Sequence, residues 1–248
     1  VTPDYLRFYG VGDRGYLIWK DGEIHRFDTR NIKSGISTPV VEDLLGDNSL
    51  HITALEFALG NATLLVADSG GNLNGWLQTR TKNGQPGDYL QLVHQLPQSQ
   101  SWVTSLGLSS RSRMISAGYA DGTLKVFHVT TDQEIFATQI GSERETLKTF
   151  ITPKEDGLVA ITKDSLWHAD FDPKHPEASM SSLFGPVWYE GYDEPRHIWQ
   201  SSFASAAPEV KLGLRPLIFG TLKATFYTML FGTPIALLGA IYTSEFLS

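Results

Sequence analysis

Four side chains lie close enough in the sequence to do metal chemistry: His168, Asp170, Asp172 and His175. Imidazole nitrogens and carboxylate oxygens are metal ligands, and on an extended strand His168, Asp170 and Asp172 share a face because side chains alternate with period 2. A metal centre also needs its ligands to converge in an enclosed geometry. At the end of a strand the same residues are explained as exposed polar positions, so no metal ligand is assigned to them. The glycine-rich run SGGNLNG (69–75) has neither the lysine nor the strand-to-helix context of a phosphate-cradling loop. No Gly-x-Ser-x-Gly elbow occurs, and serine, histidine and aspartate are too scattered for a hydrolase triad. The expectation is no catalytic residue, no cofactor site and no enzymatic activity.

Composition narrows the classes further. There are 20 Lys and Arg against 27 Asp and Glu, a net charge of −7, which argues against a nucleic-acid partner. With no cysteine, thiol catalysis, disulfides and thiolate metal sites are excluded. The opening at Val1 has no basic-then-apolar pattern, so no signal peptide is expected in this sequence.

The elements that would position any site repeat along residues 1–172. Four stretches set two apolar runs around a tight turn: GYLIWKDGEIHRFD (15–28), TLLVADSGGNLNGWLQ (63–78), RMISAGYADGTLKVFHV (113–129) and GLVAITKDSLWHADFD (157–172). Asp-Gly and Gly-Gly accept the positive φ that two-residue hairpin turns require. The turn positions Gly22, Gly71, Gly122 and Ser165 are spaced by 49, 51 and 43 residues, and the fourth copy lacks the glycine. A leading strand is expected at 52–57, 103–108 and 147–152, and a trailing strand at 89–96 and 134–140; the first copy has no convincing leading strand. Four antiparallel strands in units of about 40–50 residues is the arithmetic of a β-propeller blade. The copies resemble WD40-type repeats, most clearly 103–129. They depart from that pattern in lacking the closing Trp-Asp pair (Phe127-His128 and Trp76-Leu77 stand there) and in giving His51, at the place of the family's histidine, no matching aspartate network. The expected fold class is mainly β: a partial or degenerate WD40-like propeller with about four blades visible, then a linker and a C-terminal apolar transmembrane helix. An open stack or sandwich of the same sheets is the alternative.

The domain expectation is a propeller-like unit at 1–172, an aromatic-rich linker at 173–211 and a membrane segment at 212–248 with its helix at about 216–244. In the middle segment Trp188, Tyr189, Tyr192, Trp199 and Phe203 fit either of two roles: packing against the propeller, or lying at a membrane–water boundary. In the last segment, Ala224 to Thr243 is an uncharged run of 20 residues, about 30 Å as a helix and enough to cross a bilayer core. Gly232, Ala236 and Ala240 follow one another at helical-turn spacing, the pattern that lets membrane helices approach closely. Self-association through this apolar tail is therefore expected.

Residues 209–246, with Gly220-Thr221-Leu222, Thr225, Pro234-Ile235-Ala236 and the ending from Ala240 to Glu245, resemble the opening core helix of binding-protein-dependent ABC importer permeases, closest to the phosphate-specific subfamily. The segment 190–202 resembles the exit from a large soluble insertion found in some of its members. The resemblance implies a fragment of the membrane permease subunit of an inorganic phosphate importer, multi-pass in the bacterial inner membrane, with a periplasmic propeller of interaction or regulatory role. It also implies a second permease subunit, ATPase subunits and an extracytoplasmic phosphate-binding protein as partners. Lys211, Arg215 and Lys223 at the N-terminal end of the helix oppose that topology by the positive-inside tendency. The alternative function is a membrane-anchored β-propeller acting as a protein-interaction platform in the cell envelope.

Overall fold

The computed structural model describes residues 2–141, 145–200 and 209–246. Three four-stranded antiparallel meanders and one three-stranded meander follow one another along the chain. The first sheet holds β1 (Tyr5–Tyr9), β2 (Arg14–Ile18), β3 (Glu23–Asp28) and β4 (Val40–Asp43); the second β5 (Ile52–Phe57), β6 (Thr63–Asp68), β7 (Leu73–Lys82) and β8 (Gln85–Gln95). The third holds β9 (Val103–Leu108), β10 (Met114–Tyr119), β11 (Thr123–His128) and β12 (Gln133–Gln139), and the fourth β13 (Thr146–Ile151), β14 (Gly157–Thr162) and β15 (Leu166–Asp170). These are the blades of a β-propeller, called A to D below. The first copy does have a leading strand, β1, against the expectation from the sequence, and its blade is closed on the outside by β4.

The two middle sheets are apolar on both faces because each face meets a neighbouring blade, and this replaces the in/out polar alternation of a half-solvated sheet. Tyr16, Ile18 and Ile24 of blade A pack on Leu55, Phe57, Leu64 and Val66 of blade B. The other face of B gives Ala54, Leu65, Ala67 and Leu73 to Leu106, Ile115, Ala117 and Phe127 of C. Met114, Leu124 and Val126 on the far face of C meet Ile151, Leu158 and Ala160 of D. The A–B seam also carries a buried cation: Arg26 pairs with Glu42 on β4 at 2.6 Å and with Asp88 on β8 at 2.8 Å. A buried guanidinium is tolerable only with such partners.

The meander fixes two sides. The β2–β3, β6–β7, β10–β11 and β14–β15 turns, with the interblade connections, lie on one (the turn side); the other hairpin loops lie on the opposite (the loop side). Gly71 shows why the turn side needs glycine: its φ is +80°, and a Cβ there would run into the backbone carbonyl of Ser99, whose own N–H donates to the Gly71 carbonyl at 3.1 Å. Gly71→Ala is expected to lose about 1–3 kcal/mol from backbone strain alone, read as a lower urea midpoint. Gly70→Ala, at a position of ordinary φ with only side chains nearby, should lose less.

Candidate anchoring and docking site

After blade D the chain forms a strap along the loop side. It holds the short helix α1 (Met180–Phe184), a bridge between Val187 and Arg196, and a two-stranded ribbon of β16 (Trp199–Gln200) with β17 (Lys211–Leu212). Ser179 caps α1, its Oγ accepting from Ser182 N at 3.1 Å. The strap then runs into α2 (Arg215–Phe246), tied back by Leu214 N donating to Leu183 O at 2.8 Å.

One buried cation joins strap to propeller. Arg113, at the loop-side start of β10, is enclosed by Leu59 and Thr63 of blade B, Thr130 of blade C, and the strap residues Glu190 and Glu209. Its Nη1 donates to Leu59 O at 2.8 Å and also to Glu190. Nη2 donates to Thr63 Oγ1 at 2.6 Å, and that hydroxyl donates on to Glu190 Oε1 at 2.6 Å. Nε donates to Thr130 Oγ1 at 3.4 Å, and that hydroxyl donates to Glu209 Oε1 at 2.7 Å. The second oxygen of Glu209 accepts from Glu190 N at 2.9 Å. Each threonine thus relays between guanidinium and carboxylate, and the planar fork of arginine serves both at once.

Two carboxylates share one cation here, so the charge does not balance. Burial, opposed by Arg113 and reinforced by the Glu209 charge, raises the Glu190 carboxyl above its usual range. Beside them His128 is buried and bonded through Nδ1 to Thr131 Oγ1 at 2.8 Å. The Thr131 hydroxyl donates to Pro176 O at 3.2 Å, which leaves it to accept from the imidazole N–H. Burial, with the Arg113 and His94 charges adding to it, pushes this imidazole down to about 3. A cleft of about 210 Å³ opens next to this group, between Met114, His128, Pro173, Pro176 and Val210.

The aromatic residues of the strap divide. Tyr189 is buried and Trp188 half-buried, its Nε1 donating to Tyr192 O at 2.8 Å. Lys211 Nζ stands over the Tyr189 and Tyr192 rings at 5.8 and 5.4 Å. Trp199 is exposed on the ribbon that leads to α2, and Phe203 lies outside the described residues. Helix α2 is exposed along its whole length and spans 32 residues, about 48 Å. Three of its threonine hydroxyls bond back to the helix: Thr221, Thr228 and Thr243 donate to the carbonyls of Leu217, Ala224 and Gly239 at 2.8–2.9 Å. Such back-bonding is what a hydroxyl needs where no water is available.

The four metal candidates read from the sequence do not converge. His168 reaches Asp170 at 3.5 Å on the exposed face of β15, Asp172 accepts from Lys174 N at 3.0 Å, and His175 turns to Glu177 at 3.3 Å. Among the described residues no three such groups stand together as a metal site. His51 sits on the turn side, its backbone carbonyl accepting from Ser69 N at 2.9 Å. The clamp around Arg113 was not anticipated; a lone arginine opening an otherwise apolar strand was the one local sign of it.

No family model matches the sequence, and no curated protein matches it. Solved structures do. The Cps50 (Swd1) β-propeller domain of Myceliophteria thermophila is similar with a TM-score of 0.51 at 15% identity, over 65% of this chain and 49% of that one. Sqt1 from Chaetomium thermophilum gives a TM-score of 0.51 at 15% identity over 67% and 44%. Its complex with the N-terminus of the ribosomal protein L10 gives 0.51 and 15% over 67% and 45%. The chain therefore spans about half the length of the solved propellers that it matches, and its fold is a mainly β WD40-like propeller with a C-terminal apolar helix. The likeness to a phosphate importer permease is overturned by these neighbours, which are propeller proteins. The phosphate-transport reading, the partner permease, ATPase and phosphate-binding subunits, and the multi-pass periplasmic arrangement go with it. Glycines, alanines and threonines at helical spacing suit many membrane helices, which is why that motif misled.

Proposed function

We propose that this chain is a membrane-anchored β-propeller that serves as a protein-interaction platform at the cell envelope. It divides into the propeller at 1–172, a connecting strap at 173–211 and a membrane segment from 212. The observation that carries this reading is the contrast between a propeller with three buried cores and a 32-residue apolar helix that no part of the fold covers. Because strap and helix leave from the loop side, anchorage directs the turn side, with exposed Trp102, away from the bilayer toward partners. Propeller faces offer many loop ends on a rigid scaffold, which suits docking more than chemistry.

The test is retention of the full chain in membranes. Wild type is expected in the pellet after alkaline carbonate extraction. Leu230→Arg with Leu237→Arg, each costing about 2.5–3.5 kcal/mol at the middle of a span, is expected in the supernatant. Carbonate-soluble wild type would sink the anchor.

A further inference from the structure

Beside the Arg113 clamp, His128 brings a buried imidazole to the edge of the open cleft. The residue is 6% exposed, and its Nδ1–H is committed to Thr131 Oγ1 at 2.8 Å, because the Thr131 hydroxyl itself donates to Pro176 O. The other ring nitrogen, Nε2, therefore carries a bare lone pair. It has no partner among the described residues. Nε2 of His94 is sealed inside the protein, whereas Nε2 of His128 opens on the cleft that its ring lines. Nothing in the clamp needs this second nitrogen, and a largely buried acceptor stays under-satisfied until a donor reaches it. Burial keeps the ring neutral, so the lone pair is there at ordinary pH.

The rest of the cleft selects the body that carries the donor. Met114, Pro173, Pro176 and Val210 supply apolar lining, and a methionine thioether makes favourable contacts with aromatic rings. The charged lining balances, Arg111, Arg113 and Lys174 standing against Glu155, Glu177 and Glu209, so an ion of either sign gains no net attraction. The volume is about 210 Å³. A cavity of about 150 Å³ takes a benzene molecule, so there is room for one ring with a small substituent.

We propose that this cleft binds a phenol: one neutral aromatic ring whose hydroxyl donates to Nε2 of His128 while the ring lies against Met114, Pro173, Pro176 and Val210. A free phenol and the tyrosyl side chain of a docked protein share that chemistry. The site is built by blades C and D and the strap, and it stands apart from the membrane reading.

The experiment is a titration of the full chain in detergent micelles, followed by NMR of the His128 Nε2 nitrogen and the Met114 methyl group. With p-cresol both signals are expected to move together. Toluene, which has the ring without the donor, should move the methyl alone and bind about tenfold more weakly or worse. In His128→Phe the preference for p-cresol over toluene should vanish. Val210→Trp, which fills the cleft from a half-buried position and leaves the imidazole in place, should silence both ligands. The tripeptide glycyl-tyrosyl-glycine separates the sources: a shift of Nε2 like that of p-cresol assigns the site to a partner's tyrosyl group, and p-cresol alone assigns it to a free phenol. An Nε2 signal unmoved by millimolar p-cresol would overturn the proposal. So would equal affinity for p-cresol and toluene in the wild type, or p-cresol binding that survives Val210→Trp.

Discussion

Arg113→Leu is expected to lower the folding stability by about 3–5 kcal/mol, the range for breaking a buried ion pair by removing one partner. The leucine fills part of the volume, but it strands Glu190 and Glu209 together with the Thr63 and Thr130 hydroxyls that now relay to them. For a chain of this size the loss corresponds to a fall in Tm of roughly 6–20 °C. Because the clamp fastens the strap, the segment around 186–200 should also become cleavable by protease before the blades do. Adding Glu190→Gln and Glu209→Gln to Arg113→Leu should recover most of the loss, since the penalty lies in uncompensated charge. If the triple variant is no more stable than the single one, the charge account fails and packing around Arg113 is what matters. Arg113→Lys should recover little, because a single ammonium cannot reach both threonines, the Leu59 carbonyl and a carboxylate in the directions that the guanidinium fork serves.

The second large effect is on pH. His128 has its folded-state value pushed down to about 3 from an ordinary 6.5. The folded protein therefore binds fewer protons at this site than the unfolded chain. The stabilisation is fully present above about pH 6.5 and is lost as pH falls toward 3. At about 1.4 kcal/mol per unit, up to about 5 kcal/mol is at stake. Glu190 acts in the opposite sense. Its raised value makes the folded state hold a proton longer, so its contribution is present below the ordinary carboxylate range and fades as pH rises through the raised value. The histidine loss begins first on acidification, and urea midpoints should fall steadily between pH 6.5 and 5. His128→Gln, which keeps a donor for Thr131 without the titration, should flatten that slope. An equal slope in the variant would assign the acid sensitivity to other groups.

Much of the propeller was legible because its hairpins announce themselves. Asp21-Gly22, Gly70-Gly71 and Asp121-Gly122 sit between apolar runs, and the register follows from them. β1 was not legible, for a reason that belongs to the architecture. Both of its faces carry large side chains, Leu6 and Phe8 on one and Tyr5, Arg7 and Tyr9 on the other, and Arg7 is committed to Glu56 of blade B at 3.3 Å. A strand with large side chains on both faces shows no polar alternation. Asn83-Gly84 was a readable turn that went unread: φ is +51° and +76° there, and the turn lengthens the β7–β8 hairpin beyond its expected 89–96 strand to Gln85. The clamp was out of reach, since Thr63 and Glu190 are 127 residues apart and only the fold brings them together. In α2 the length of the uncharged run predicted the helix well, while the family likeness drawn from the same residues did not hold.

The order of the clamp along the chain has a consequence for biogenesis. Leu59, Thr63, Arg113 and Thr130 are synthesised well before the carboxylates that complete the network, and the last of these, Glu209, precedes the start of α2 by six residues. At roughly 5–20 residues per second, the apolar helix begins to be made within about a second of the residue that finishes the soluble domain. With so little chain between them, the clamp closes while α2 is still inside the ribosome or its insertion machinery. The propeller can therefore be complete, and its strap fastened, at the moment the nascent helix is delivered to the lipid.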